Sequence, residues 1–399
     1  MKPELLAPAG TYEKMVTAFR FGADAVYFAG KKFGLRAFAG NFDDKEIETA
    51  VEYAHARGKK VYITINILAH ENDFEGLAEY VQYLEKVGVD AVIVADLGII
   101  SLVREVCPNL EVHVSTQANV LNSFAINFLA KMGIKRIILA REVSIEEIKA
   151  IRKKIPADIE LECFVHGAMC ISYSGRCLLS NYLSGRDSNR GACVQACRWQ
   201  YMITEITRHE GNKYEIQEDQ RGTYILNSKD LCMIQHLEEL KNAGVNSFKI
   251  EGRMKSEYYV ATVVNAYRKA IDGWDNLDEL KEELQKASHR TYTTGFYFPN
   301  EQKENLASSM PVQSHEFVAV VEEDANGEVA KIQQRNRFAK GEILEVLSPN
   351  ANTFNKTIVV ESLTNLAGEE VLDAKQVQQI LFLKTSLPLQ KGDILRKKI

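Results

Sequence analysis

At 399 residues, with 46% apolar and 26% charged side chains, the chain can bury one large domain and a small one, or two ordinary domains, and has no composition for long disordered segments. Its formal net charge of −5 excludes a uniformly basic surface, so a nucleic-acid partner has to be met by a local patch. Seven cysteines in a chain with no secretory leader argue against a disulfide framework and for metal binding or catalysis.

MKPELLAPAG enters a strand almost at once, and apolar runs such as AVIVADLGIISLV are broken by Asp96 and fall short of the roughly 20 residues of a membrane helix. The expected location is the cytoplasm, with no membrane partner. Short β-branched runs then alternate with amphipathic stretches: LLAPA (5–9), AVYFAG (25–30), KVYITIN (60–66), AVIVAD (91–96), EVHVSTQ (111–117), RIILAR (136–141), IELECFV (159–165) and SFKIEG (247–252). Phrases such as VGVDAVIV, MGIKRIIL and AGVNSFKI each run from a helix end through Gly into a strand, which marks repeated β/α units. Eight such units predict a (β/α)8 TIM-like barrel over residues 1–275. An open doubly wound sheet is the alternative, disfavoured because no G-x-G-x-x-G turn follows the first strand.

A cysteine-rich insertion at 168–245 separates the seventh and eighth strands, and MKSEYYVATVVNAYRKAI (254–271) reads as the closing helix. Residues 276–310 form a connecting segment. From 311 to 399 the texture changes to short alternating strands and turns, which predicts a small all-β barrel domain.

The cysteines are spaced Cys170-x6-Cys177-x15-Cys193-x3-Cys197, followed by Cys232 on the helix-like DLCMIQHLEEL. Structural zinc favours closer ligand pairs, whereas iron–sulfur ligands can be scattered; both readings stand beside that of unliganded buried thiols. Cys107 and Cys163 sit in apolar contexts and read as core. The barrel mouth, where barrel chemistry collects, is read from strand ends. It holds Tyr27, Asn66, Asp96, Ser115, Gln117 and Asn119, then Arg141, Glu142, His166, Lys249, Glu251 and Arg253.

His166 and Glu251 are the candidate catalytic groups. Arg36, Arg141, Lys249 and Arg253 are candidate substrate-binding cations suited to a small dianion, or members of a charge network with Glu142 and Glu251. KKFGLRAF (31–38), the RKK at 396–398, and Arg176, Arg186, Arg190 and Arg198 around the cysteines are candidate RNA contacts or plain solvated charge.

ECFVHGAMCISYSGRCLLSNYLSGRDSNRGACVQACRW (162–199) closely resembles the signature of the collagenase-like peptidase family U-32. APAG (7–10), LRAFAGNF (35–42), HVSTQANV (113–120), LNSKDLC (226–232), KIEGRMKS (249–256) and HRTYTTGFYF (289–298) resemble family segments in family order, so the resemblance spans essentially the whole chain. It implies a 4Fe-4S cluster on Cys170, Cys177, Cys193 and Cys232, with Cys197 as the spare. Within the family, the length and β-type tail are most similar to members that hydroxylate tRNA wobble uridine to 5-hydroxyuridine without oxygen, using prephenate. tRNA, a small anionic metabolite and a companion protein of the same family are the implied partners.

The family name implies a peptidase instead, and a zinc-holding structural or RNA-binding protein is the third reading. His70–Glu71 and His209–Glu210 lack the second His of H-E-x-x-H, no G-x-S-x-G elbow occurs, and His166 with Cys170 is the remaining thiol-protease pairing.

Overall fold

The apolar runs form strands, and the strands close on themselves. The computed structural model describes the chain apart from residues 1, 32, 34–39, 171, 174–175, 187, 189–191, 200–217, 220–221, 224–227, 300–310 and 326. Its barrel strands are β1 (Glu4–Pro8), β2 (Ala25–Phe28), β3 (Lys60–Ile65), β4 (Ala91–Val94), β5 (Glu111–Val114), β6 (Arg136–Ile138), β7 (Glu160–Ala168) and β8 (Ser247–Ile250). Successive strands from β1 to β7 pair in parallel. β8 then pairs with β1, Ser247 opposite Glu4, and with β7, Ser247 opposite Glu162. The result is the closed (β/α)8 barrel, not the open sheet.

β4 is buried at every position, as a parallel strand covered on both faces must be. Asp43 and Ser144 open the helices Asp44–His55 and Ile145–Arg152 with reciprocal capping boxes. In VGVDAVIV, Gly88 ends its helix at φ 89°, a left-handed conformation that glycine adopts without steric cost.

One expectation fails at Cys232. The sequence reads it onto a helix, but the structure puts it in the short strand Asp230–Cys232, and the helix begins only at Leu237. The cause is the length of β7, nine residues, whose end offers a pairing edge. Asp230, Leu231 and Cys232 lie antiparallel to Ala168, Gly167 and His166. Tyr292–Thr293 adds a further short strand beyond.

The chain divides into two compact units. One comprises Met1–Met15, Asp24–Met254 and His289–Pro311 and contains all eight barrel strands; the other comprises Val16–Ala23, Lys255–Ser288 and Val312–Ile399. The second unit holds a seven-stranded antiparallel sheet over a core that includes Val318, Ile332, Leu344 and Leu395.

The helices Glu257–Ile271 and Leu277–Leu284 are part of this second unit, where the Asn265 amide donates to the Ser348 carbonyl at 3.2 Å. Arg396 does not add surface charge as RKK suggests. It is fully buried and donates both terminal nitrogens to Glu283, at 2.6 and 2.7 Å. No helix among the described residues is long and apolar enough to cross a membrane.

Candidate active site

A cavity of ≈ 240 Å³ opens at the C-terminal ends of the barrel strands. Strand ends supply Tyr27, Asn66, Ser115, Gln117, Arg141, Lys249, Glu251 and Arg253, and the segment after β7 supplies Cys170, Cys177, Cys193 and Cys197. This is the face on which barrel chemistry is built. The sequence reading of the mouth is therefore realised for these eight side chains.

Four other mouth candidates lie off the cavity lining. Asp96 caps the helix Leu97–Val106, accepting from the Gly98 and Ile99 amides. Asn119 turns its amide onto the Gln117 carbonyl at 3.0 Å. Glu142 is half-buried, and burial raises its carboxyl pKa above the ordinary value.

His166 is displaced by an irregularity in the β7–β8 ladder. Lys249 faces Phe164 but Ile250 faces His166, so Val165 is the extra residue of a bulge, a device that re-aims side chains. The His166 ring is 1% exposed and lies 5.4 Å from the Tyr292 ring, on which His289 stacks at 4.5 Å. Gly167 follows at φ 109°, and a Cβ there would meet the Glu251 carbonyl oxygen at 2.5 Å, so glycine lets β7 lie against Glu251. Of the thiol-protease pairing, Cys170 is among the cavity-lining side chains and His166 is not.

The four candidate cations differ in how their charge is met. Lys249 donates to Glu162 at 2.8 Å, with both side chains nearly inaccessible, and Glu162 also lies 3.3 Å from Arg136. The network reading of Lys249 is thus built into the barrel interior. Arg253 is buried and donates to two neutral oxygens, Thr64 Oγ1 at 3.0 Å and Asn41 Oδ1 at 3.2 Å.

Arg141 donates to the Ala168 carbonyl at 3.1 Å, lies 4.1 Å over the Phe164 ring, and approaches Glu251 only to 4.0 Å. Its Nε is buried without a hydrogen-bond partner among the described residues. Glu251 is held by the Tyr27 hydroxyl, which donates to its Oε2 at 3.3 Å and to the Ile250 carbonyl at 3.0 Å. Arg36 and Arg190, and the His209–Glu210 pair, lie outside the described residues, as does the side chain of Arg198.

Burial raises the Cys170 thiol pKa, and the neighbouring Cys177 and Cys193 thiols push it the same way against the Ser172 amide and Arg141. Three of the four proposed ligands therefore line one cavity. Cys197, the spare, lines it as well, while Cys232 is buried on the strand that pairs with the end of β7. Among the described residues no group of three His, Cys, Asp or Glu side chains is placed to hold a metal ion. Cysteine thiolates are the donors that iron–sulfur clusters take, and Cys170, Cys177 and Cys193 line this one cavity.

Sequence reasoning missed Thr64 and Asn41, which hold Arg253, and the apolar lining from Phe164 and Met169. Thr64 carried a signal: it is the polar residue two positions from Tyr62, on the same face of β3.

Fold and site together define a β/α-barrel protein whose ligand cavity is made jointly by strand ends and a cysteine-bearing insertion. Residues 10–307 match peptidase family U32, and residues 313–396 match the peptidase family U32 C-terminal domain. The chain belongs to peptidase family U32. It is 40% identical over 407 residues to tRNA hydroxylation protein P1 of Bacillus subtilis (strain 168), covering 99% of this chain and 95% of that protein. It is 39% identical to tRNA hydroxylation protein P of Escherichia coli (strain K12), covering 92% and 90%. With the 23S rRNA 5-hydroxycytidine C2501 synthase of Escherichia coli (strain K12) it shares 34% identity, covering 89% of this chain and 55% of that protein.

Proposed function

We propose that this chain is an RNA-modifying enzyme that hydroxylates the wobble uridine of tRNA to 5-hydroxyuridine, without oxygen and with prephenate as the small anionic co-substrate. One observation carries the reading: arginines and cysteine thiols share a single cavity in a chain 40% identical, over 99% of its length, to a protein named for tRNA hydroxylation. Cys170, Cys177, Cys193 and Cys232 would hold a 4Fe-4S cluster. When bound, it supplies one-electron redox chemistry at the cavity wall.

The chain's own side chains have separable tasks. Arg141 and Arg253, both lining the cavity, bind the carboxylates of the anion, with Arg36 as a third candidate. Glu251, oriented by Tyr27, holds or moves a proton at Oε2. Lys249 supports Glu162 within the barrel, and His166 stands opposite Cys232 in the pairing at the end of β7. The cysteine insertion and its arginines present the cavity to RNA.

The test is mass spectrometry of tRNA nucleosides from a strain lacking the gene and any family paralogue. Loss of the 5-hydroxyuridine nucleosides, restored by this chain, is the expected result; an unchanged nucleoside profile refutes the reading. The ligand set has its own check in anaerobically purified protein. Cys232→Ser loses cluster iron while Cys197→Ser retains it, and the opposite pattern moves the fourth position to Cys197.

A further inference from the structure

Residues Thr116–Ala118 form one 3-10 turn at the end of β5, and its backbone is pinned on several sides. Ser115 Oγ accepts the Gln117 N–H at 3.3 Å, the Thr116 hydroxyl donates to the Leu139 carbonyl at 3.1 Å, and the Asn119 amide donates to the Gln117 carbonyl at 3.0 Å. The Gln117 side chain is the exception. It lines the cavity, and its Oε1 is buried with no hydrogen-bond partner among the described residues. A buried acceptor left unsatisfied is destabilising, so its persistence on a rigid support calls for a donor that arrives from the cavity.

We infer that Gln117 reads the Watson–Crick edge of the target base and so sets base recognition; this rests on the RNA-hydroxylation reading above. The carboxylates of the anion cannot fill the role, because at neutral pH they offer acceptors only. A primary amide sets one acceptor beside one donor, the complement of N3–H and O4 of uracil. Oε1 accepts from N3–H and Nε2 donates to O4. Ile93, Phe164 and Met169 supply apolar wall for a flat ring that has left its stack.

The experiment compares two anticodon stem-loop RNAs, one with uridine and one with N3-methyluridine at the wobble position, binding to the anaerobically purified full chain. N3-methylation removes the donor that Gln117 Oε1 needs. Wild type binds the uridine loop about tenfold more tightly, the worth of roughly one hydrogen bond. Gln117→Leu binds both loops equally, at the wild-type level for the methylated loop, a loss of discrimination that a structural role would not produce.

Should Gln117→Leu melt early, Gln117→Asn, which withdraws the carbonyl by one methylene, carries the same expectation. A folded variant that keeps the tenfold preference overturns the assignment, as does a wild type indifferent to methylation. Either outcome, beside a deletion strain that has lost its hydroxylated nucleoside, sinks Gln117 and leaves the proposed function standing; an unchanged deletion strain sinks the proposed function itself.

Discussion

Lys249→Met separates a structural cation from a substrate-binding one. Lys249 Nζ lies 2.8 Å from Glu162 Oε1, with side-chain exposures of 5% and 0%, so screening by water is minimal. Breaking a buried pair by deleting one partner typically costs about 3–5 kcal/mol, because the remaining charge is stranded. Here Glu162 keeps Arg136 at 3.3 Å, which places the loss lower, at about 2–3 kcal/mol.

For a domain of this size that is a fall of roughly 5–10 °C in the melting temperature of the barrel unit, followed by calorimetry or circular dichroism. Adding Glu162→Gln removes the stranded charge, and Arg136 still has Glu4 and Glu160, so the double variant is no less stable than Lys249→Met alone. An unchanged melting temperature with lost tRNA modification would refute this reasoning and return Lys249 to the set of anion-binding groups.

Arg141→Gln has the opposite profile. Its partners are a carbonyl, a ring face and a carboxylate 4.0 Å away, so melting shifts by about 1 kcal/mol or less while the dependence of modification on the anion is lost. Gly167→Ala forces a Cβ into the Glu251 carbonyl at a φ of 109°, so the barrel melts earlier by at least about 1 kcal/mol and modification falls with it; wild-type melting would contradict the contact.

The β-rich unit loses stability in acid. Burial works to raise the Glu283 pKa, but Arg396 and Lys286 hold it below the ordinary 4.5. A depressed folded pKa contributes stability that is present above about pH 4.5 and is lost as pH falls through the folded value. Arg396→Leu removes the main opposing charge and lets the folded Glu283 pKa rise, so the variant is less stable at neutral pH and the Glu283 share of the acid loss shrinks; an acid limb identical to that of the wild type would count against the pair.

The eight barrel strands were legible because their signal is local: AVIV or KVYITI is apolar and β-branched whichever strand it later meets. The missing Gly-rich turn pointed correctly to closure. Cys232 was not legible, because its extended backbone is imposed by the end of β7, 62 residues or more earlier in the chain. The same holds for Arg396, whose burial depends on Glu283, 113 residues away. Tertiary pairing overrides local propensity in both cases.

Within the site, sequence identified which residues stand at strand ends but not which way they turn. On that basis His166 stands out as a catalytic candidate and Gln117 is only one of the mouth residues, and two small backbone devices separate them. One extra residue in the β7–β8 ladder carries His166 away from the cavity, while one 3-10 turn after β5 directs Gln117 into it. Charge follows the same logic. Lys249 and Arg141 are both cations at strand ends, yet Glu162 neutralises one and no carboxylate closer than 4.0 Å meets the other among the described residues. Among the cavity-lining side chains, Arg141 Nε and Gln117 Oε1 are buried without a hydrogen-bond partner among the described residues, a donor and an acceptor in one cavity. Under the proposed function, the anion takes the donor and the base supplies a hydrogen to the acceptor.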